Sequence, residues 1–81
     1  MTIDFNNLIK EWNAKNPLDK VNKSIIARDM VDCGFFTNFS SAINMMHWHQ
    51  TGKAKSIDLL MLKFLIRRFN KTVQEIIDFE N

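Results

Sequence analysis

Thr37-Asn38-Phe39-Ser40-Ser41-Ala42-Ile43-Asn44-Met45-Met46-His47 is the stretch on which the fold turns. Phe39, Ala42, Ile43 and Met46 fall at i, i+3, i+4 and i+7, the spacing of one helix face. Either Thr37 or Asn38 can cap that helix, because a short side-chain oxygen accepts one of the free N–H groups of the first turn. The opposite face carries Ser40, Ser41, Asn44 and His47, all small or neutral. A face meant only for solvation more often carries Lys and Glu, which form helix better than Ser or Asn. This face therefore reads as a surface kept for contact.

Downstream, Gln50-Thr51-Gly52-Lys53-Ala54-Lys55 reads as a loop, and Ser56 is placed to cap a fourth helix with Asp58 in its first turn. Between Ile57 and Phe69 only Asp58, Lys63, Arg67 and Arg68 are polar. Leu59, Leu62, Leu65, Ile66 and Phe69 cluster on one side of this helix, and Ile57, Leu60 and Phe64 on another. A helix apolar on two sides is buried on two sides, centrally or at a subunit interface. Asn70 can adopt the left-handed conformation that ends it. Thr72-Val73-Gln74-Glu75 has the form of a capping box and opens a last helix carrying Val73, Ile76, Ile77 and Phe79.

Upstream, Ile25, Ile26 and Met30 mark a helix over at least Lys23–Val31, closed near Cys33 by a left-handed Gly34. Its start has two readings. Asn16-Pro17-Leu18-Asp19 can open it, or residues 17–21 are a connector and it begins at Asn22 or Lys23. A first helix over residues 3–15 carries Ile3, Phe5, Leu8, Ile9 and Trp12, with Asp4 as cap and Asn16-Pro17 as stop. The expectation is an all-α domain of five helices and no strands spanning residues 1–81.

Composition agrees with that reading. The 81 residues contain two Gly and one Pro, too few for a β protein that turns about every ~10 residues. Apolar residues make up 46% and charged residues 25%, the balance of a folded globule. A helical domain this small has little room for both a core and a deep pocket, which disfavours an enzyme. Ser, His and Asp occur without a nucleophile motif around them. The single cysteine, Cys33, excludes an internal disulfide and is expected as a small buried hydrophobe. His47, His49 and Cys33 invite a zinc reading, but His-x-His points to different helix faces and a fourth ligand is not evident. No metal or cofactor is expected. Met45, Met46 and Trp48 are expected to pack at the core or its edge. No secretory signal is visible after Met1, and no apolar run approaches the ~18 residues of a membrane span, so a cytoplasmic protein is expected.

The net charge is +2, unevenly spread. Six of the eleven basic residues (Lys53, Lys55, Lys63, Arg67, Arg68 and Lys71) fall in one zone, against one acid, Asp58. Such a zone fits a nucleic-acid binder, although solvated helix faces look alike. Arg67 and Arg68 are expected to cover apolar surface with their stems or to pair with the terminal acids.

Taken together, Lys23-Ser24-Ile25-Ile26-Ala27, Gly34, the short polar helix, Gly52 to Leu60, and Phe69-Asn70-Lys71-Thr72-Val73-Gln74-Glu75-Ile76-Ile77 resemble the lambda repressor-like, Cro-type helix-turn-helix family. The resemblance covers roughly residues 22–78, with the helix-turn-helix at about 22–48. It departs from the family in three places: Gly34 lies seven residues after Ala27 rather than four, no Gln opens helix two, and helix four is longer.

The resemblance implies a sequence-specific DNA-binding transcriptional regulator, of the repressor kind that phages and mobile elements use. Helix three would enter the major groove, with Ser40, Ser41, Asn44 and His47 meeting base edges. Lys23, Thr37, Asn38, Lys53 and Lys55 would contact phosphate. The absence of Arg or Lys on helix three favours an A·T-rich operator. Double-stranded DNA is thus the expected partner, bound by a homodimer joined through Ile57, Leu60 and Phe64 or through Ile77 and Phe79. The competing expectation is a helical interaction module, such as an antirepressor, antitoxin-like partner or phage adaptor, that touches protein rather than DNA.

Overall fold

Four of the five helices begin where a side-chain oxygen takes up a free backbone N–H. In the computed structural model, which describes residues 1–80, Asp4 caps α1 (Phe5–Lys15), Asn22 caps α2 (Lys23–Asp32), Asn38 caps α3 (Phe39–Gln50) and Asp58 caps α4 (Leu59–Phe69). In each, the accepted N–H lies three residues on, at 2.8–3.1 Å. The capping box opens α5 (Val73–Ile76): the Thr72 N–H and hydroxyl both reach Glu75 Oε1 at 3.0 Å.

These caps decide the open boundaries. α2 starts at Lys23, so the preceding segment is a connector, tied to α1 by Asn13, whose side chain accepts from Val21 N–H at 2.7 Å and donates to Val21 C=O at 2.9 Å. Asn38, not Thr37, caps α3. Asp58, not Ser56, caps α4, which therefore begins two residues later than Ile57. Both residue types cap well, and the aspartate also places its negative charge at the positive end of the helix.

The C-terminal ends follow the glycines. Gly34, at φ +86°, donates to Val31 C=O at 3.0 Å while Phe35 N–H reaches Met30 C=O at 2.9 Å, a Schellman motif. Gly52, at φ +77°, repeats it after α3, with Lys53 N–H on Trp48 C=O at 2.8 Å. Asn70 takes the left-handed role after α4, at φ +53°.

The expectation of no strands is corrected. β1 (Thr2–Ile3) and β2 (Ile77–Asp78) form an antiparallel ribbon, pairing Thr2 with Asp78 and Ile3 with Ile77. The last helix is consequently a single turn, and Ile3 leaves the first helix. Two-residue strands are too short to carry an alternation; their β-branched residues pair because the helices bring both ends of the chain together. Ile77, expected at a dimer interface, is buried within one chain beside Ile3.

Every helix contributes to the core: Phe5 and Leu8 from α1, Ile26 and Met30 from α2, Met46 from α3, Leu62 and Leu65 from α4, and Ile76 from α5. Ala27 on α2 and Ala42 on α3 are both fully buried where small side chains let packed helices approach closely. The stripes expected on α4 need revision. Met61, Leu62, Leu65 and Phe69 are buried, while Leu59 and Leu60 are 72% and 62% exposed. With the helix starting at Leu59, its first two residues project past the core. Ile57 lies outside the helix, half-buried. At the other end of α4, Trp12 meets Phe69 edge-on at 6.1 Å and carries the Arg68 guanidinium over its face at 5.2 Å. Arg68 also pairs with Asp29 at 3.2 Å, not with the terminal acids. Cys33, expected to be buried, is exposed at the end of α2. No helix among the described residues is long and apolar enough to cross a membrane.

Candidate nucleic-acid interface

α3 is held at both ends, and that fixes what its outer face presents. Its N-terminus is set by the Asn38 cap and the Gly34 turn from α2. Its C-terminal turn is locked to the start of the chain. Gln50 Oε1 accepts from Asn6 N–H at 2.9 Å, and Gln50 Nε2 donates to Asp4 Oδ1 at 3.0 Å. His49 Nδ1 accepts from Ile3 N–H at 3.2 Å, with its ring edge-on to Phe5 at 6.0 Å. Burial, and then the positive charge of the chain's amino terminus, hold the His49 pKa below the usual histidine range. The imidazole is therefore a neutral acceptor here, and its role is to anchor β1.

From the sequence His49 was weighed only as a zinc ligand, yet the signal for its buried role was available. Ala42, Met46 and His49 lie at i, i+4 and i+7 and form the buried stripe of α3.

The outer face carries Ser40, Asn44 and His47, all exposed, at i, i+4 and i+7. They form one row along the helix, about 10 Å from first to last at ~1.5 Å per residue. Ser41 sits off this row and is half-buried; its N–H is the one Asn38 caps. Phe39, expected in the buried stripe, is instead 38% exposed, and the Arg28 guanidinium lies 5.7 Å from its ring centre. Arg28 thus brings a cation from α2 to the start of α3, a contact no local pattern could indicate. Trp48, expected to pack, is 53% exposed beside the end of the row, whereas Met46 is buried and Met45 half-buried.

The expected phosphate contacts lie toward the two ends of α3. Thr37 and Asn38 are exposed at its N-terminus, where unpaired N–H groups and the helix dipole favour an anion. Lys53 and Lys55 are exposed beyond its C-terminus, on a loop strapped down by two bonds to Trp48 C=O, from Lys53 N–H at 2.8 Å and Ala54 N–H at 3.1 Å. Lys23 opens α2, exposed, on the same helix as Arg28. α2 runs five residues past Ala27, to Asp32, which is why Gly34 comes late, and six residues, Cys33 to Asn38, join α2 to α3.

His47 is exposed and His49 buried, on different faces, and Cys33 stands at the end of another helix. No group of three or more His, Cys, Asp or Glu able to hold a metal ion occurs among the described residues. Comparison with known proteins finds no matching family model, no matching curated protein and no matching solved structure.

Proposed function

We propose that the protein is a sequence-specific DNA-binding regulator that uses α3 as its reading helix. The observation that carries this reading is the uncharged row Ser40, Asn44 and His47, exposed on a helix packed against α2, with Lys53 and Lys55 beyond one end and Arg28 at the other. A major groove about 12 Å wide admits such a helix. Asn44, mid-row, has the amide geometry to pair with adenine N6 and N7, Ser40 can contact either base edges or phosphate, and His47 can reach a phosphate or a base. Ser41 has the lesser share, being half-buried. Lys23, Lys53, Lys55 and the N-terminal N–H groups of α3 would hold the backbone and supply the sequence-independent part of the affinity. With no Arg or Lys in the row, A·T-rich sites are the expected targets. One such head covers about four or five base pairs, so two copies on a pseudo-palindrome, with reading helices about 34 Å apart, would give useful specificity. Phe79, 56% exposed after β2, remains available for such a pairing.

The test is electrophoretic mobility shift with mixed genomic fragments, followed by selection of the bound sequences. Binding should weaken steeply between ~50 and ~200 mM salt. Asn44→Ala should lower specific binding relative to non-specific binding, whereas Lys53→Ala should weaken both alike and reduce the salt slope by about 1. No complex at low salt would end the regulator reading. Equal losses of both kinds of binding in Asn44→Ala would remove Asn44 from base readout.

A further inference from the structure

A second surface lies where the end of α3 meets the start of α4. A groove of about 540 Å³ runs between them, floored by Phe35, Phe36, Met45 and Met61 and walled by the exposed Trp48. A second groove of about 500 Å³ adjoins it across Phe35 and is lined by Leu60 and Phe64. Leu59, the residue before Leu60 in the first turn of α4, is exposed as well. Two open apolar depressions that meet at Phe35 on a chain of 81 residues are a mark of an interaction site.

The rim of the strip is basic. Lys53 and Lys55 edge the first groove, and Lys63, Arg67 and Arg68 edge the second. Of these five, Arg68 alone makes an ion pair among the described residues, with Asp29. The one acid on the lining, Asp58, is committed to the Met61 N–H as the cap of α4. Four cations without an ion pair therefore border apolar surface that carries one acid, Asp58.

From these observations we infer that the strip receives an acidic amphipathic segment of another protein, its apolar side chains seated in the two grooves and its carboxylates facing the lysine and arginine rim. Charge decides against the alternatives. A second copy seated on the same strip about a two-fold axis would bring a second set of Lys53, Lys55, Lys63 and Arg67 into the interface, with Asp58 the one acid on either lining to meet them. The same accumulation of like charge bears on the homodimer expected through Ile57, Leu60 and Phe64. A single nucleic-acid strand needs exposed rings for stacking, but Trp48 is the only well-exposed ring here, and Leu59 and Leu60 offer aliphatic surface instead. A membrane surface would take up the protruding Leu59 and Leu60 but would leave the half-buried Phe35, Phe36 and Met45 of the groove floor unfilled. The inference uses no member of the Ser40, Asn44 and His47 row and so stands without base readout, although Lys53 and Lys55 are shared with the proposed phosphate contacts.

The two tryptophans supply the readout. Trp48 walls the first groove, while the Trp12 indole donates to Asp19 C=O at 2.8 Å and serves as an internal reference. The full chain, labelled with ¹⁵N, is titrated with a synthetic helical peptide of about 14 residues carrying Leu and Phe at i, i+3, i+4 and i+7 and Glu elsewhere. The same peptide with Lys for Glu, and a scrambled acidic version, are the controls. Expected are shifts of the Trp48 indole and the Leu60 amide with Trp12 unmoved, and affinity at least about tenfold weaker for both controls. Leu60→Glu, at an exposed position that leaves the core intact, should weaken the acidic peptide by about tenfold or more. Equal binding of the acidic and scrambled peptides overturns the inference. So does preferential perturbation of Trp48 and Leu60 by self-association on concentration, by phosphatidylglycerol vesicles, or by a single-stranded oligonucleotide.

Discussion

Replacing Gly34 by alanine isolates the backbone geometry that joins α2 to α3. Gly34 sits at φ +86°, and a Cβ built there meets no atom within 4 Å. Sterics with the rest of the protein therefore contribute nothing, and the whole effect lies in the backbone. An L-residue forced into the left-handed region costs about 1–2 kcal/mol. Alanine also narrows the unfolded ensemble, which offsets about 0.4–1 kcal/mol of that cost. The net expectation is a loss of about 1 kcal/mol, a fall in Tm of about 4–8 °C for a domain of this size. Asn, which tolerates this region better, should lose less than Ala. D-Alanine, introduced by chemical synthesis, should be at least as stable as the native chain, because it adopts positive φ without penalty. Urea and thermal melts followed by circular dichroism measure all three. Equal stability of Gly34→Ala and the native chain would refute the left-handed turn. A loss above about 4 kcal/mol would show a packing role that the empty space around Gly34 denies.

Three further outcomes are expected. Asp58→Ala should cost about 1 kcal/mol and Ser56→Ala should stay within about ±0.5 kcal/mol, measured by urea denaturation; the reverse order would move the cap of α4 back to Ser56. Stability should fall as pH drops below the unfolded histidine value of 6.5. The His49 pKa is lowered in the fold, so the unfolded chain takes up the proton first and is favoured as pH falls. Its contribution is complete above that value, and denaturation midpoints at several pH values should lose part of their acid dependence in His49→Gln, with an unchanged acid dependence removing His49 from that role. Cys33 should react with a thiol reagent in the native protein at a rate close to that of the unfolded chain, since it is exposed; strong native protection would place it in the core.

What could be read in the sequence was local chemistry, and what could not was long-range pairing. Asn38, Asp4, the Thr72–Glu75 box, Gly34 and Asn70 act where short-range rules place them, because a cap or a left-handed turn is decided within about four residues. The polar row of α3 was legible for the same reason, since helix period alone puts Ser40, Asn44 and His47 on one side. Where two good caps stood two residues apart, as Ser56 and Asp58 do, local rules could not rank them. With the later start, Leu59 and Leu60, expected on the two apolar sides, fall in the first turn and are exposed, while the rest of both sides is buried or half-buried. The ribbon of Thr2–Ile3 with Ile77–Asp78 was illegible, because its partners are 74 or more residues apart and each strand is two residues long.

The same limit explains the candidate site. Exposure of Trp48 and Cys33, the approach of Arg28 to Phe39, and the Arg68–Asp29 pair all depend on how helices meet. The basic zone from Lys53 to Lys71 was visible as composition, but its division was not. Lys71 is taken up internally, by Glu11 and by Glu75 at 3.8 Å, and Arg68 by Asp29, while Lys53, Lys55, Lys63 and Arg67 stay unpaired among the described residues along one apolar strip. Charge counted along the chain cannot separate cations that hold helices together from cations left for a partner. Only their three-dimensional neighbours do that, and here the separation leaves the unpaired set along the edge of the apolar strip.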